Sequence, residues 1–230
     1  MSSRQIAKRK AAAGSAWDSH LDASRAYILK NLGDANKGKV VILGSGHLFD
    51  VPLVDLSKAF KQVVLVDVEH PKSAKKAVKA LGNVKLVTCD VTGINNQLSQ
   101  QDRPAPCPPK DLLADADFTV SLNLISQIPL WPQDYLTKQG KHSDETINTY
   151  LKSLIQNHLD WLKSAPGIKC VIGDQEQQLC NKGKVFHTED TLFGLELPPA
   201  DETWTWKIAP KPIWDKSCDL QHKVCAFRIE

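Results

Sequence analysis

The apolar and polar positions of the chain alternate between two periods. Short apolar runs, mostly β-branched and bounded by turn residues, stand at 40–43, 63–67, 84–90, 118–123 and 169–174. Runs of this length and composition predict buried strands. Helical spacing fills the gaps. Leu53, Leu56 and Phe60 share one face over 52–60, and a lysine-rich helix is predicted over 71–81. A long helix over 145–163 carries Ile147, Tyr150, Leu151, Leu154, Ile155, His158, Leu159 and Leu162 on one side, and Pro166-Gly167 closes it. Ahead of the first strand, Trp17, Leu21, Tyr27, Ile28 and Leu32 predict a further helix packed on the sheet. Two late runs, 203–208 and 223–229, have no helix between them, because Pro210, Pro212 and the polar segment 216–219 fill the gap. They read as an antiparallel pair at one edge. The whole pattern predicts an α/β fold, a doubly wound and mostly parallel sheet.

Three segments fall outside this alternation. Residues 93–110, with Asn95, Asn96 and four prolines, read as an insertion or flexible loop. The polar stretch 132–143 reads as a lid or surface loop. Residues 1–37 read as a basic tail followed by a helix, with Arg4, Lys8, Arg9 and Lys10 ahead of the first acid, Asp18. The tail loosely resembles an organelle transit peptide, but a solvated tail is the simpler expectation. The remainder, 38–230, is expected to form one domain.

Composition changes this picture little. With 42% hydrophobic and 24% charged residues among 230, the chain is ordinary for a globular protein. A net charge of +3 does not by itself imply nucleic acid or an anionic membrane. The face Lys72, Lys75, Lys76, Lys79 is most simply a solvated surface. No apolar run approaches the ~20 residues needed to span a bilayer, and no secretory segment is recognisable, so a cytoplasmic protein is expected. The six cysteines, with no Cys-x-x-Cys pair, are expected to be reduced thiols with no zinc site.

Candidate chemistry gathers where strands end, since ligands of open α/β sheets bind at the carboxyl ends of the strands near the switch in strand order. The first strand ends in Gly44-Ser45-Gly46, followed by His47. Asp50 and Pro52 then suit a helix start, where unpaired N–H groups face a ligand. The second strand ends in Asp67-Val68, 23 positions past Gly44. That is about the distance at which a carboxylate meets ribose hydroxyls. The third ends in Asp90-Val91, the fourth in Asn123 with Ser126 and Gln127 behind it, and the fifth in Asp174.

This order and spacing resembles the class I S-adenosylmethionine-dependent methyltransferase fold, a Rossmann-like sheet of seven strands whose last is antiparallel. The resemblance covers roughly 37–230. It implies a backbone cradle at Gly44, Ser45, Gly46 and His47 for the methionine part of S-adenosylmethionine, and Asp67 with Val68 at the ribose. It places Asp90 with Val91 at the adenine, and Asn123 beside the transferred methyl. Asn123, Ser126 and Gln127 are then the expected catalytic side. A small-molecule acceptor is expected, with no nucleic acid or membrane partner, because the sequence shows no marked basic face apart from the Lys72–Lys79 helix. The sequence departs from the family pattern at Ile42, where an acid is common, and at Leu48, where a third glycine falls; Asp50 is a nearby source of polarity. The strand-four segment lacks the Asn-Pro-Pro-aromatic signature of enzymes that methylate amino groups in nucleic acids.

Two alternatives stand beside it. One is a non-catalytic binding module that keeps the fold, which Ile42 favours. The other is a nicotinamide-dependent oxidoreductase, since Asp90-Val91-Thr92 is similar to the adenine-side motif of short-chain dehydrogenases; Tyr150, however, has Leu154 rather than Lys four positions on. Among the histidines, His158 reads as a hydrogen-bonded core residue, and His142 as a candidate for proton removal from an acceptor. Trp131, Trp204, Trp206 and Trp214 are candidates to frame an acceptor pocket.

Overall fold

The protein is described by a computed structural model over residues 3–33 and 35–230. Met1, Ser2 and Asp34 of the expected amino-terminal segment lie outside the described residues. The five expected parallel strands are present as β1 (Lys39–Leu43), β2 (Gln62–Asp67), β3 (Val84–Thr88), β4 (Phe118–Leu122) and β5 (Ile168–Asn181). After them come β6 (Lys184–Asp190), β7 (Glu202–Ala209) and β8 (Asp219–Ile229). The sheet order is β3-β2-β1-β4-β5-β8-β7, with β6 paired to the far end of β5. β8 runs antiparallel to both β5 and β7. This is a Rossmann-like, doubly wound and mostly parallel sheet, with the expected antiparallel pair at one edge. The chain crosses from one half of the sheet to the other between β3 and β4, so the carboxyl ends of β1 and β4 lie side by side at the switch point.

Side chains alternate across a strand, so each strand feeds two cores. Val40, Ile42, Val63, Leu65 and Ile172 face one way. There they meet Trp17, Leu21 and Ile28 of the amino-terminal helices, Leu56 of α3 (Leu53–Ala59), and Trp206 and Ile208 of β7. Val41, Leu43, Val64 and Val171 face the other way, onto Ile155, Leu159 and Leu162 of α6 (Asp144–Ser164). The central run of β1 is buried on both faces, as its unbroken apolar sequence demands. His158 of α6 sits in that second layer, its Nε2 2.8 Å from Ser121 Oγ. Ser143 caps α6 by accepting from the Thr146 amide.

Four expectations change. The basic start is not a tail: α1 (Ser3–Ala13) and a 3₁₀ turn (Gly14–Trp17) lead into α2 (Asp18–Lys30). Ala13 is buried and Ile6 packs on the first core, and Trp17 Nε1 donates to the Ile208 carbonyl at 2.9 Å. The supposed lid is α5 (Leu130–Gln139), which Gly140 ends in a left-handed turn. Pro132 is tolerated there because it falls in the first turn, where no intrahelical amide bond is lost. Among the described residues the sheet has eight strands rather than seven: β5 runs on past the others and folds back as an exposed hairpin with β6. The lysine-rich α4 is shorter than its periodicity, Lys72–Val78.

Burial holds the His158 imidazole near pKa 4, and burial holds His20 of α2 near 4 as well. In the unfolded chain both take protons near the ordinary value of about 6.5. Between these values the unfolded state binds more protons, so stability is full above about pH 6.5 and is lost as pH falls towards 4. For His158 the loss at pH 5 is about 2 kcal/mol. His158→Gln, which keeps a partner for Ser121, is expected to flatten the fall. Urea unfolding of both proteins at neutral pH and pH 5 checks this; an equally steep fall in the variant would refute it.

Candidate active site

Gly44 leaves β1 with φ +80°. A side chain there would meet the Leu122 carbonyl oxygen at 2.3 Å and the Leu124 side chain at 2.9 Å. Only glycine lets the ends of β1 and β4 approach this closely. The amides of Gly44 and Ser45 both donate to the Val66 carbonyl, which ties the turn to β2 as well. Gly46, also at positive φ, faces open space: a side chain there would find nothing nearer than Asp67 Oδ2 at 3.8 Å. Leu48 adopts φ 64° and donates its amide to the Ser45 carbonyl, packing its side chain against the first core. His47 stacks on Phe49 and has Nδ1 3.2 Å from Ser73 Oγ. Ile42, two positions before Gly44, is fully buried in the core.

Asp67 joins this turn directly. Its Oδ2 accepts the Gly46 amide at 2.7 Å, and its Oδ1 accepts the Glu69 amide at 3.2 Å. Val68, just past the end of β2, is 59% exposed. Asp90 is placed differently. Oδ1 accepts from Thr92 N and Oγ1, and Oδ2 accepts from Asn95 N, so the carboxylate closes its own loop. Val91 is buried under that loop in the second core.

Asn123 leaves β4 in the left-handed region at φ 56°. Its side-chain amide donates to Asp50 Oδ2 at 2.7 Å, and its own Oδ1 is buried without a partner. Asp50 is therefore no helix cap: α3 begins later, after Pro52, with no side-chain cap. Burial raises the Asp50 carboxyl to about 6, against the opposing effect of its hydrogen bonds and of Arg25. Arg25 of α2 reaches the same loop and donates to the Phe49 carbonyl. Ser126 is buried and donates to Asp174 Oδ2 at 3.0 Å, whereas the Gln127 side chain is exposed. The structure thus joins Gly46 to Asp67, Asn123 to Asp50 and Ser126 to Asp174. His142 bonds Asp102 of the proline-rich segment instead. Trp131 lies exposed at the start of α5, and Trp214 is exposed in the loop between β7 and β8.

Asp50 reads from the sequence as a helix start and a nearby source of polarity, and Arg25 as a residue of a sheet-packing helix within reach of a ligand; their contacts with Asn123 and the Phe49 carbonyl are what the sequence does not show. The Arg25 contact spans 24 residues, so no local pattern announces it. Two clefts lie elsewhere. One, of about 480 Å³, separates Pro106 and Cys107 from Trp161 of α6, and one of about 350 Å³ opens at the amino ends of β4 and β5.

No family model matches the chain. No curated protein matches it in sequence. Solved structures do align with it. The N-methyltransferase NodS from Bradyrhizobium japonicum WM9, in complex with S-adenosyl-L-homocysteine, is 12% identical with a TM-score of 0.46; the match covers 92% of this chain and 86% of that one. The DhpI-SAM-HEP complex is 14% identical with a TM-score of 0.39, over 96% and 95%. The 23S rRNA methyltransferase ErmE is 12% identical with a TM-score of 0.37, over 88% and 67%.

Asn123→Ala leaves the half-buried Asp50 short of a partner and puts a Cβ-bearing residue without a polar side chain at positive φ. The expected cost is about 1–3 kcal/mol in chemical unfolding. The Asp50 carboxyl should titrate above its value in the parent protein when followed by NMR. An unchanged titration would show that the Asn123 amide does not hold this carboxylate.

Proposed function

We propose that the protein is an S-adenosylmethionine-dependent methyltransferase acting on a small-molecule acceptor. The observation that carries this reading is the contact of Asp67 with Gly46, a strand-two carboxylate held against the glycine turn at the switch point. The residues fit the cofactor. Asp67 keeps free lone pairs for ribose hydroxyls, and exposed Val68 offers an apolar surface for an adenine ring. The open space over Gly46 admits the methionine end. Buried, unpartnered Ser45 Oγ and Asn123 Oδ1 are polar atoms that a ligand's donors would satisfy. Asp90 would act through the shape of its loop, since both of its oxygens already hold that loop.

When bound, S-adenosylmethionine supplies an electrophilic methyl group. The chain's own part is to hold donor and acceptor in line, which is where most of the rate gain of such a displacement arises. Asp50 and Asn123 form the polar wall on the side where β4 ends, and Arg25 fixes the loop that carries Asp50. The small-molecule acceptor is favoured by the absence of a marked basic face, apart from the α4 lysines, among the described residues.

A second reading, a binding module without catalysis, is favoured by the buried Ile42 where the family commonly has an acid. Titration calorimetry with S-adenosylmethionine and S-adenosylhomocysteine separates the readings from a mere likeness of fold. Binding should be measurable, and Asp67→Ala should weaken it by about 1–3 kcal/mol, roughly five- to 150-fold. No measurable binding at millimolar ligand would remove the enzyme reading. Binding without turnover of any acceptor would favour the module.

A further inference from the structure

Beside the proposed donor site, under α2, lies a second polar cluster. Asp174 projects from β5 on the first-core side, only 3% exposed. Its Oδ2 accepts from Ser126 Oγ at 3.0 Å and lies 2.9 Å from His222 Nδ1 of β8. Its Oδ1 is buried without a partner. His222 Nε2 and His20 Nε2 are likewise buried and unpartnered. His20 stacks on Trp206 at 4.0 Å between ring centres, and Trp206 meets His222 edge-on at 5.8 Å. Trp204 Nε1 donates to His20 Nδ1 at 3.0 Å, so the neutral ring carries its hydrogen on Nε2, which points no lone pair at the cluster.

Buried polar atoms in native proteins are normally paired, and a buried carboxylate with an idle oxygen is costly. Here several idle atoms come from three elements and gather around one carboxylate. His222 is the ion-pair partner of Asp174 among the described residues; no lysine or arginine there pairs with it. No group of three ligating side chains suited to a metal occurs among the described residues. The Asp174 carboxyl lies in aromatic surroundings that screen charge poorly.

We propose that Asp174, oriented by Ser126 and His222, is an acceptor subsite that binds the ammonium group of an organic amine. The assignment rests on the methyl donor binding at the glycine turn, as proposed above, because Ser126 links Asp174 to the segment that leaves β4. An ammonium donates to Asp174 Oδ1, and His222 Nε2, the acceptor nitrogen of a ring whose Nδ1–H faces Asp174, accepts a further hydrogen. A neutral hydroxyl of the same shape lacks the charge, and an anion is repelled.

Calorimetry at pH 8 with benzylamine, and with benzyl alcohol as its neutral counterpart, tests the subsite. Benzylamine should bind at least about tenfold more tightly than the alcohol. Asp174→Asn, shown to be folded by its thermal melt, should abolish that preference. Equal binding of the two probes would overturn the subsite, as would no saturable benzylamine signal up to about 20 mM, or a preference that survives Asp174→Asn. If the variant fails to fold, the comparison of the two probes on the parent protein decides alone. S-adenosylhomocysteine titrated into the same samples reports on the donor site separately. Amine binding without it would leave the subsite standing and remove the methyl-transfer reading; the reverse would remove the subsite only.

Discussion

The geometry of the site depends on one close approach, Gly44 against the Leu122 carbonyl, where any side chain would stand 2.3 Å from the oxygen. That approach lets β1 and β4 end together at the switch point. It also fixes the path of the backbone beyond each strand. After β1 the chain turns through Gly46, whose amide captures Asp67 of β2. After β4 it passes through a left-handed Asn123, whose side-chain amide captures Asp50 of the first loop. Two carboxylates from different segments are thereby brought to the same mouth, one at each side of the glycine turn. They differ in condition: the burial that lifts Asp50 to about 6 leaves it poised near neutrality.

The parallel sheet and its antiparallel edge were legible because they rest on period and on residue type, which are local. The same holds for α6, whose apolar stripe runs its whole length. The features that stayed hidden have a common cause. Asp50 before Pro52 looks like a helix cap by local rules, yet its partner is Asn123, 73 residues away. Pro132 looks like a breaker, yet it sits in the first turn of α5. β6 is exposed along its full length, so it has no buried face to impose an alternating pattern. At the site, the glycine turn and the strand-ending acids could be read directly, because strand ends are points where the apolar run stops. The partners of those residues could not, since hydrogen bonds between distant segments leave no periodic trace.

The amino-terminal helices have more to do than cover apolar strands. α2 packs Ile28 and Leu21 on the sheet, ties the Asp50 loop through Arg25, and lays His20 over Trp206. Tyr27 anchors the helix by donating to Asp201 at 2.6 Å. One helix therefore spans the loop of the first strand and the polar cluster of the fifth. A shift of α2 would be felt at both, since each contact comes from the same rigid element.

The long β5 carries a different consequence. Past Asp174 it leaves the parallel sheet and pairs with β6, whose outer side faces solvent. Such a strand presents a row of unpaired backbone groups to any other chain in an extended conformation. Here the ladder shifts register between Leu179 and Cys180, and charges stand at both ends of the strand, Lys184 at one and Glu189 with Asp190 at the other. The exposed Val185 and Phe186 lie between them. The irregular ladder and the flanking charges shorten the stretch that another chain could zip onto, so the hairpin extends the sheet without inviting its continuation.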